Sequence, residues 1–324
     1  MIRHRCTRKR SGMDLSQFLE TQFFLLRTKI RDPKTKDHYR RAVRWLGEML
    51  SRPALLSDLT DDHVAGVLNW LQQTRGQSAT TANGAHKCLC CLWRFARDKG
   101  LVLTGPTVAP LRTPIRAPRA WRQEELARLV QAARESTGSI CGLPASAWWL
   151  SVLALSWDTG IRATELLSLE WRWLDWQSGW LHVPAEVRKG KHHDEVYGLA
   201  PDTLKLLASL PRHGDLILGW NGRHRTRYWQ LWKSLLRSAG LPATRYTATQ
   251  CLRRTFATWL EIGGGSATDA LGHSSRDTTR RAYLDPTMTR TRSADRLPFR
   301  LLGLASQLQE EHGDQVTVPF RQAE

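Results

Sequence analysis

The sequence predicts a mainly α protein in two parts. A bundle of about four helices comes first, followed by a larger, mostly helical domain interrupted by one small β-hairpin. Three observations predict it. Apolar residues recur at helical spacing through the first hundred positions, with no strand pattern among them. Pro106, Pro110, Pro114 and Pro118 then fall every fourth residue, which no helix interior tolerates, because proline lacks the backbone donor and clashes with the preceding turn. Beyond them the helical pattern resumes, apart from two short runs that flank a lysine-glycine turn.

Residues 1–12 hold five Lys/Arg and no acid, and read as a disordered arm able to touch a polyanion. Residues 13–103 form the bundle. Phe18, Leu19, Phe23 and Leu26 lie at helical spacing, as do Tyr39, Val43, Leu46 and Leu50. Asp61 is positioned to cap a third helix carrying Val64, Val67, Leu68 and Leu71. Ser78 or Thr80 opens a fourth, with Leu89, Leu92, Trp93 and Ala96 inward and Gly100 as its stop. Residues 104–120 read as an extended linker made basic by Arg112, Arg116 and Arg119. The second domain, 121–290, opens with a helix near Arg122-Gln123-Glu124-Glu125-Leu126. An apolar run from Trp148 to Trp157 leads into Thr159-Gly160, and helix continues over Leu166 to Leu169. Trp180–Val183 and Glu195–Leu199 predict the hairpin, with helices following at about 201–210 and 223–239. The many tryptophans from Trp148 to Trp180 read as core packing rather than base-stacking platforms. Residues 291–324 form a tail with the apolar stretch Leu297-Pro298-Phe299-Arg300-Leu301-Leu302.

The chain has 324 residues, 48 Lys/Arg and 30 Asp/Glu, a formal charge of +18. A polyanion is the expected partner. Residues 1–113 carry 20 basic and 9 acidic residues, and the remainder is also net positive, which suits a grip on nucleic acid from two sides. A merely high-pI or ribosome-associated protein is the plainer reading of composition alone. Six cysteines, three of them at Cys88, Cys90 and Cys91 in one helical stretch, suit buried thiols in a reducing compartment better than disulfides or zinc. No apolar run reaches membrane-spanning length and no secretory signal opens the chain, so a cytoplasmic protein is expected.

Four segments carry chemistry. They are Thr159-Gly160-Ile161-Arg162-Ala163-Thr164-Glu165-Leu166, then Arg188-Lys189-Gly190-Lys191, then Gln250-Cys251-Leu252-Arg253-Arg254-Thr255, and last Leu271-Gly272-His273 with Tyr283 ten residues on. Two arginines, a lysine and a histidine around a phenol suit attack on a phosphodiester. Guanidinium forks bind both non-bridging oxygens and keep their charge. A lysine among other cations can have its pKa lowered enough to protonate the leaving oxygen. A phenol both attacks and leaves more readily than serine. From Arg223 to Arg254 there are eight Lys/Arg and no acid, which suggests phosphate contact by Arg223, Arg225, Arg227, Arg245 and Arg254. Taken singly, each of these residues would read as an ordinary surface or core side chain.

The order of these segments resembles the catalytic domain of the tyrosine recombinase (phage integrase) family, from about Arg122 to Pro286. The first domain resembles that family's SAM-like core-binding domain in size, position and pattern. The resemblance implies a site-specific DNA recombinase that works through a 3′-phosphotyrosyl intermediate, without metal or other cofactor. Its partner would be double-stranded DNA, clamped by both domains, with a homotetramer on two DNA sites. Tyr283 is implied as nucleophile, Arg162 and Arg253 as phosphate ligands and His273 as a hydrogen-bond donor to the phosphate. Glu165 would support Arg162. Lys189 would be the general acid, with Lys191 as alternative, and Lys191, Arg116 and Arg119 would contact DNA. The tail would dock on a neighbouring protomer.

Three departures stand out. Gln250 occupies the place of the family's second-box histidine, the Arg253–His273 connection is short and contains Gly263-Gly264-Gly265, and the His273–Tyr283 spacing is one residue longer than in many members. Glutamine donates a hydrogen bond but carries no proton near neutrality. Two further readings therefore stand beside the first: a catalytically weakened or inert DNA-binding relative, and a type IB topoisomerase-like enzyme that cleaves without strand exchange.

Overall fold

The computed structural model describes residues 12–114, 116–188, 193–222 and 225–290. The chain divides into two compact units, Met1–Ile115 and Arg116–Glu324.

In the first unit, α1 (Leu15–Phe18) passes through a π-helical turn (Leu19–Phe23) into α2 (Phe24–Leu26), followed by α3 (Pro33–Leu50), α4 (Asp61–Gln73) and α5 (Ala79–Asp98). Short polar side chains start these helices by accepting orphan backbone donors. Asp14 takes the Gln17 N–H, Asp32 that of Lys34, Thr60 that of His63 and Ser78 that of Thr81. The cap of α4 is thus Thr60, whose extended backbone (φ −128°, ψ 158°) aims its hydroxyl at the helix, and not Asp61. The Asp61 carboxylate instead accepts from the Thr107 N–H, the Thr107 hydroxyl and the Val108 N–H. Asn83 exchanges two hydrogen bonds with the backbone of Leu111, and the His86 ring bonds to the Val108 carbonyl. The first half of the proline-rich segment is therefore extended chain held by side chains of α4 and α5. Leu15, Phe18, Phe23, Leu46, Val64, Leu71, Leu89 and Trp93 fill the core. Leu26 does not join them: it lies past the π turn, which shifts the helical register, and is 57% exposed.

In the second unit, α6 (Gln123–Arg134) is followed by a two-residue hairpin the sequence did not signal, β1 (Ser139–Ile140) with β2 (Leu143–Pro144). Next comes α7 (Ala145–Thr159), apolar on all sides because α6, α9 (Pro201–Ala208), β4 (Glu195–Gly198) and α11 (Gln250–Ile262) surround it. Trp148, fully buried, donates its indole N–H to the Leu218 carbonyl at 2.9 Å. Trp149 and Trp171 are also buried, whereas Trp157, Trp176 and Trp180 are exposed and depart from the core-packing expectation. Helix α8 is a single turn, Ala163–Leu166, and ends before the Leu167–Leu169 stretch expected to continue it. The main hairpin pairs β3 (Trp180–Val183) with β4, Trp180 opposite Gly198 and Val183 opposite Glu195. Then follow α10 (Arg225–Ser238), α11, the short α12 (Ala267–Ala270), α13 (Arg276–Ala282) and α14 (Pro286–Thr289). The glycine run ends α11 and leaves α12 four residues long, as the shortened connection predicted. No described helix is long and apolar enough to cross a membrane.

Candidate active site

The site begins where α7 stops. Gly160 sits in the left-handed region (φ 59°, ψ 15°), a conformation open to glycine at little cost, and turns the chain sharply. Two residues on, Arg162 takes the cap position of α8 with extended backbone. Its Nη1 lies 3.1 Å from the Oε1 of Glu165, a carboxylate only 1% exposed. A buried carboxylate is tolerated when a cation offsets its lost hydration. The pair forms from the cap residue of α8 to its first turn.

Arg253, on the first turns of α11, is 2% exposed. Its Nη1 donates to the Gly160 carbonyl at 2.8 Å and its Nη2 to the Leu271 carbonyl at 3.0 Å. The same Nη2 lies 3.5 Å from His273 Nε2. The guanidinium carbon stands 5.6 Å from the centroid of the Tyr283 ring. Burial, and then the nearby charge of Arg162, hold Arg253 below the ordinary guanidinium pKa, while Tyr283 and Tyr197 act in the opposite direction.

Gln250 opens α11 and donates from Nε2 to the Tyr283 hydroxyl at 3.2 Å. The His273 ring packs on the Tyr283 ring, centroids 4.6 Å apart. Burial, with Arg253 and Arg162 nearby, pushes the imidazole pKa down to about 4. Tyr283, half-buried, ends α13, with its N–H on the Thr279 carbonyl at 2.9 Å. Its own carbonyl accepts from the Thr258 hydroxyl at 3.3 Å, and that hydroxyl accepts from the Asp285 N–H at 3.0 Å. Asp285 in turn accepts the Ala120 N–H at 3.0 Å, tying the residues after Tyr283 to the start of the unit.

The structure thus gathers Arg162, Glu165, Gln250, Arg253, His273 and Tyr283, from four separate segments. Lys189, Lys191 and Arg223 lie outside the described residues, as does the side chain of Arg225. Arg227 and Arg245 are exposed and form no ion pair with any described residue. Arg116 donates to the Tyr246 hydroxyl and lies over its ring, and Arg254 donates to the Tyr246 carbonyl at 3.3 Å. Arg119, partly exposed, is held within its own unit. It pairs with Glu125 and stacks 5.1 Å above Trp121.

Sequence reasoning missed Thr258, Thr279 and the pairing of buried Arg188 with partly buried Glu195. Arg188 is 8% exposed, pairs with Glu195 and donates to the His193 carbonyl at 2.8 Å. Its guanidinium lies beside Gly272, next to His273. The signal was available: Arg188 precedes Lys189-Gly190-Lys191 in the sequence and Glu195 opens β4, so opposite charges flank that segment.

A tyrosine hydroxyl that accepts from an amide, with a guanidinium and an imidazole against its ring and a second guanidinium close to both of these, has the groups needed to bind a phosphodiester and attack it. Residues 119–290 match the model described as the phage integrase family, over more than half of the chain, and the chain belongs to that family, the tyrosine recombinases, whose members cleave and rejoin DNA. Its fold is that of the solved integrases. A lambda integrase dimer bound to a COC′ core site superposes with a TM-score of 0.65 at 19% identity, covering 89% of this chain and 82% of that one. The Tn1549 transposon integrase in complex with transposon right end DNA gives 0.63 at 14% identity, covering 93% and 100%. A lambda integrase tetramer bound to a Holliday junction gives 0.62 at 20%, covering 84% and 78%. Among curated proteins, the "Putative defective protein IntQ" of Escherichia coli (strain K12) is 26% identical over 125 residues, 38% of this chain and 29% of that protein. The match thus spans under a third of that relative's length.

Proposed function

We propose that this chain is a site-specific DNA recombinase whose Tyr283 attacks a backbone phosphate, forming a 3′-phosphotyrosyl link and freeing a 5′-hydroxyl. A partner strand's hydroxyl then reverses the step. One observation carries the reading: within a single chain, the Tyr283 hydroxyl accepts a hydrogen bond from Gln250 and its ring lies against Arg253 and His273. Arg162 and Arg253 bind the non-bridging oxygens, where a fixed donor is worth on the order of 10²–10³ in rate. Glu165 aims Arg162, and His273 adds a hydrogen bond to the phosphate. Lys189, or Lys191, delivers the proton to the departing oxygen. Because the link conserves the bond energy, rejoining draws on no external energy source. Residues 13–103 hold DNA as the core-binding part, 121–290 carry the chemistry and 104–120 join them. The working unit is four copies on two sites, in keeping with the lambda integrase tetramer bound to a Holliday junction.

The test is selection of covalently trapped DNA from a random-sequence library of nicked duplexes, in which a short 3′ fragment diffuses away and prevents rejoining. A denaturation-resistant adduct is expected from the natural protein and lost in Tyr283→Phe. An adduct retained by that variant overturns the nucleophile assignment. Gln250 in the place of a proton-carrying residue, and a relative named as defective, favour a second reading: a DNA-binding protein that does not cleave. Sequence-selective binding with no adduct from any library member would select it.

A further inference from the structure

Thr255 and Thr258, three residues apart on α11, are both buried, yet they direct their hydroxyl protons differently. Thr255 donates back to the Cys251 carbonyl of its own helix at 2.8 Å, the usual bond of a helical threonine. Thr258, 0% exposed, donates instead across to the Tyr283 carbonyl at 3.3 Å. The directions of these bonds are fixed. A carbonyl only accepts, and the Asp285 N–H that reaches the Thr258 oxygen at 3.0 Å only donates. One hydroxyl thus bridges the residue that carries the phenol and the residue two places on.

The bridge falls where α13 can no longer hold the chain. Tyr283 closes that helix of seven residues at φ −128° and ψ −32°. Carbonyls at a helix end have no partner within the helix, and so short a helix draws its stability from tertiary contacts. Among the described residues, the Thr258 hydroxyl is the donor that the Tyr283 carbonyl receives. The stretch beyond has its own anchor, since the Asp285 carboxylate accepts the Ala120 N–H and both the N–H and the hydroxyl of Thr287. Helix α11 therefore meets Tyr283 at three levels: Gln250 at the hydroxyl, Arg253 at the ring and Thr258 at the carbonyl.

We propose that Thr258 is the positioning residue for Tyr283. By holding the Tyr283 carbonyl to α11, its hydroxyl fixes the phenol against Gln250, Arg253 and His273 before any DNA arrives. Thr258 contacts Tyr283 through the backbone and not at the reacting oxygen, so it acts on the fraction of molecules whose phenol is in place. Grip on DNA is left to other residues. The placement rests on this geometry alone; its consequence for cleavage rests on the strand-cleavage reading.

Two substitutions separate positioning from packing. Thr258→Val keeps the shape and removes the hydroxyl, whereas Thr258→Ser keeps the hydroxyl and removes a methyl. A packing role makes serine the worse variant; positioning makes valine the worse one. The first readout needs no DNA: the nuclear Overhauser contact between the Tyr283 and His273 rings in the full chain, with Tyr283 assigned by its loss in Tyr283→Phe. The natural protein and Thr258→Ser are expected to keep that contact and Thr258→Val to lose it, with Thr258→Ala giving the same readout should the valine variant fail to fold. The second readout is adduct formation on nicked duplex. In Thr258→Val the initial rate at saturating DNA is expected to fall by up to about 10²-fold, the scale of an ~1 Å misplacement, with the half-saturating DNA concentration unchanged. Serine is expected to restore most of that rate. A valine variant that keeps ring contact and rate, or a serine variant that loses as much as valine, overturns the proposal. So does rapid hydrogen exchange at the Asp285 amide of the natural protein, where the bond to Thr258 calls for protection like that of amides within α11. Natural protein that forms no adduct while the ring contact follows the hydroxyl defeats the cleavage reading and leaves the positioning role in place.

Discussion

Replacing Gly160 by alanine tests how the first and second boxes are held together. Two penalties add. An L-residue in the left-handed region, where Gly160 sits at φ 59°, costs roughly 1–2 kcal/mol. The new Cβ would also stand 2.2 Å from Cδ1 of Phe256, 2.6 Å from Cε1 and 2.8 Å from Cγ, so the ring must move. Overpacking of this kind typically costs ~1–3 kcal/mol. The total of about 2–5 kcal/mol corresponds to a fall in melting temperature of roughly 4–20 °C for a unit of this size. Thermal unfolding measures it, and a double-mutant cycle separates the two penalties. With Phe256→Ala as background the clash is gone, and Gly160→Ala should cost only the backbone share, leaving a coupling of ~1–3 kcal/mol between the positions. An unchanged melting temperature, or additive costs in the cycle, would refute the reasoning.

Other consequences follow from the site and from the first unit. The pKa of His273 is about 4 when folded and near 6.5 when free, so between these values the unfolded chain takes up a proton the folded one refuses. Stability is therefore expected to fall as pH drops from about 6.5 to about 4, and His273→Gln to flatten that slope in urea titrations. Gln250→His restores a group that can accept the phenol proton. It should raise the initial rate of adduct formation, with the 10²–10⁴ typical of a positioned acid or base as upper scale; an unchanged rate would show that proton removal is not limiting. Asp61→Ala removes the acceptor of the Thr107 and Val108 N–H groups, and faster hydrogen exchange at those two amides is the expected readout.

Much of this was legible because each motif is local. The 3.6-residue spacing of Val64, Val67, Leu68 and Leu71 specifies a buried helix face, and all four are buried. The candidate site was legible because the chemistry names its residue types, and the short segments around Arg162, Arg253, His273 and Tyr283, which the structure brings together, carry them in order. What escaped is non-local. Asp61 looked like a cap, since nothing in its neighbourhood reveals that Thr107 and Val108 return to it from 46 and 47 residues away. The pairing of Arg119 with Glu125 also escaped, because it depends on how the chain folds back at Trp121. Thr279 carries no signal of its own, and only the approach of the His273 turn gives its hydroxyl a partner. The π turn at Leu19–Phe23 shifts the register by one residue, which periodicity counting cannot see, and sends Leu26 outward.

The two backbone oxygens gripping Arg253 have a consequence for any incoming strand. With Gly160 and Leu271 fixing the fork from both sides, its aim is set as the domain folds, and no rotamer search remains when the anion arrives. Lysine at this position would bring a single rotating ammonium in place of a planar fork, unable to span the same two oxygens and a phosphate at once. Such a protein would lose the brace between its motifs and, on the proposed function, its seat for the phosphate in one stroke.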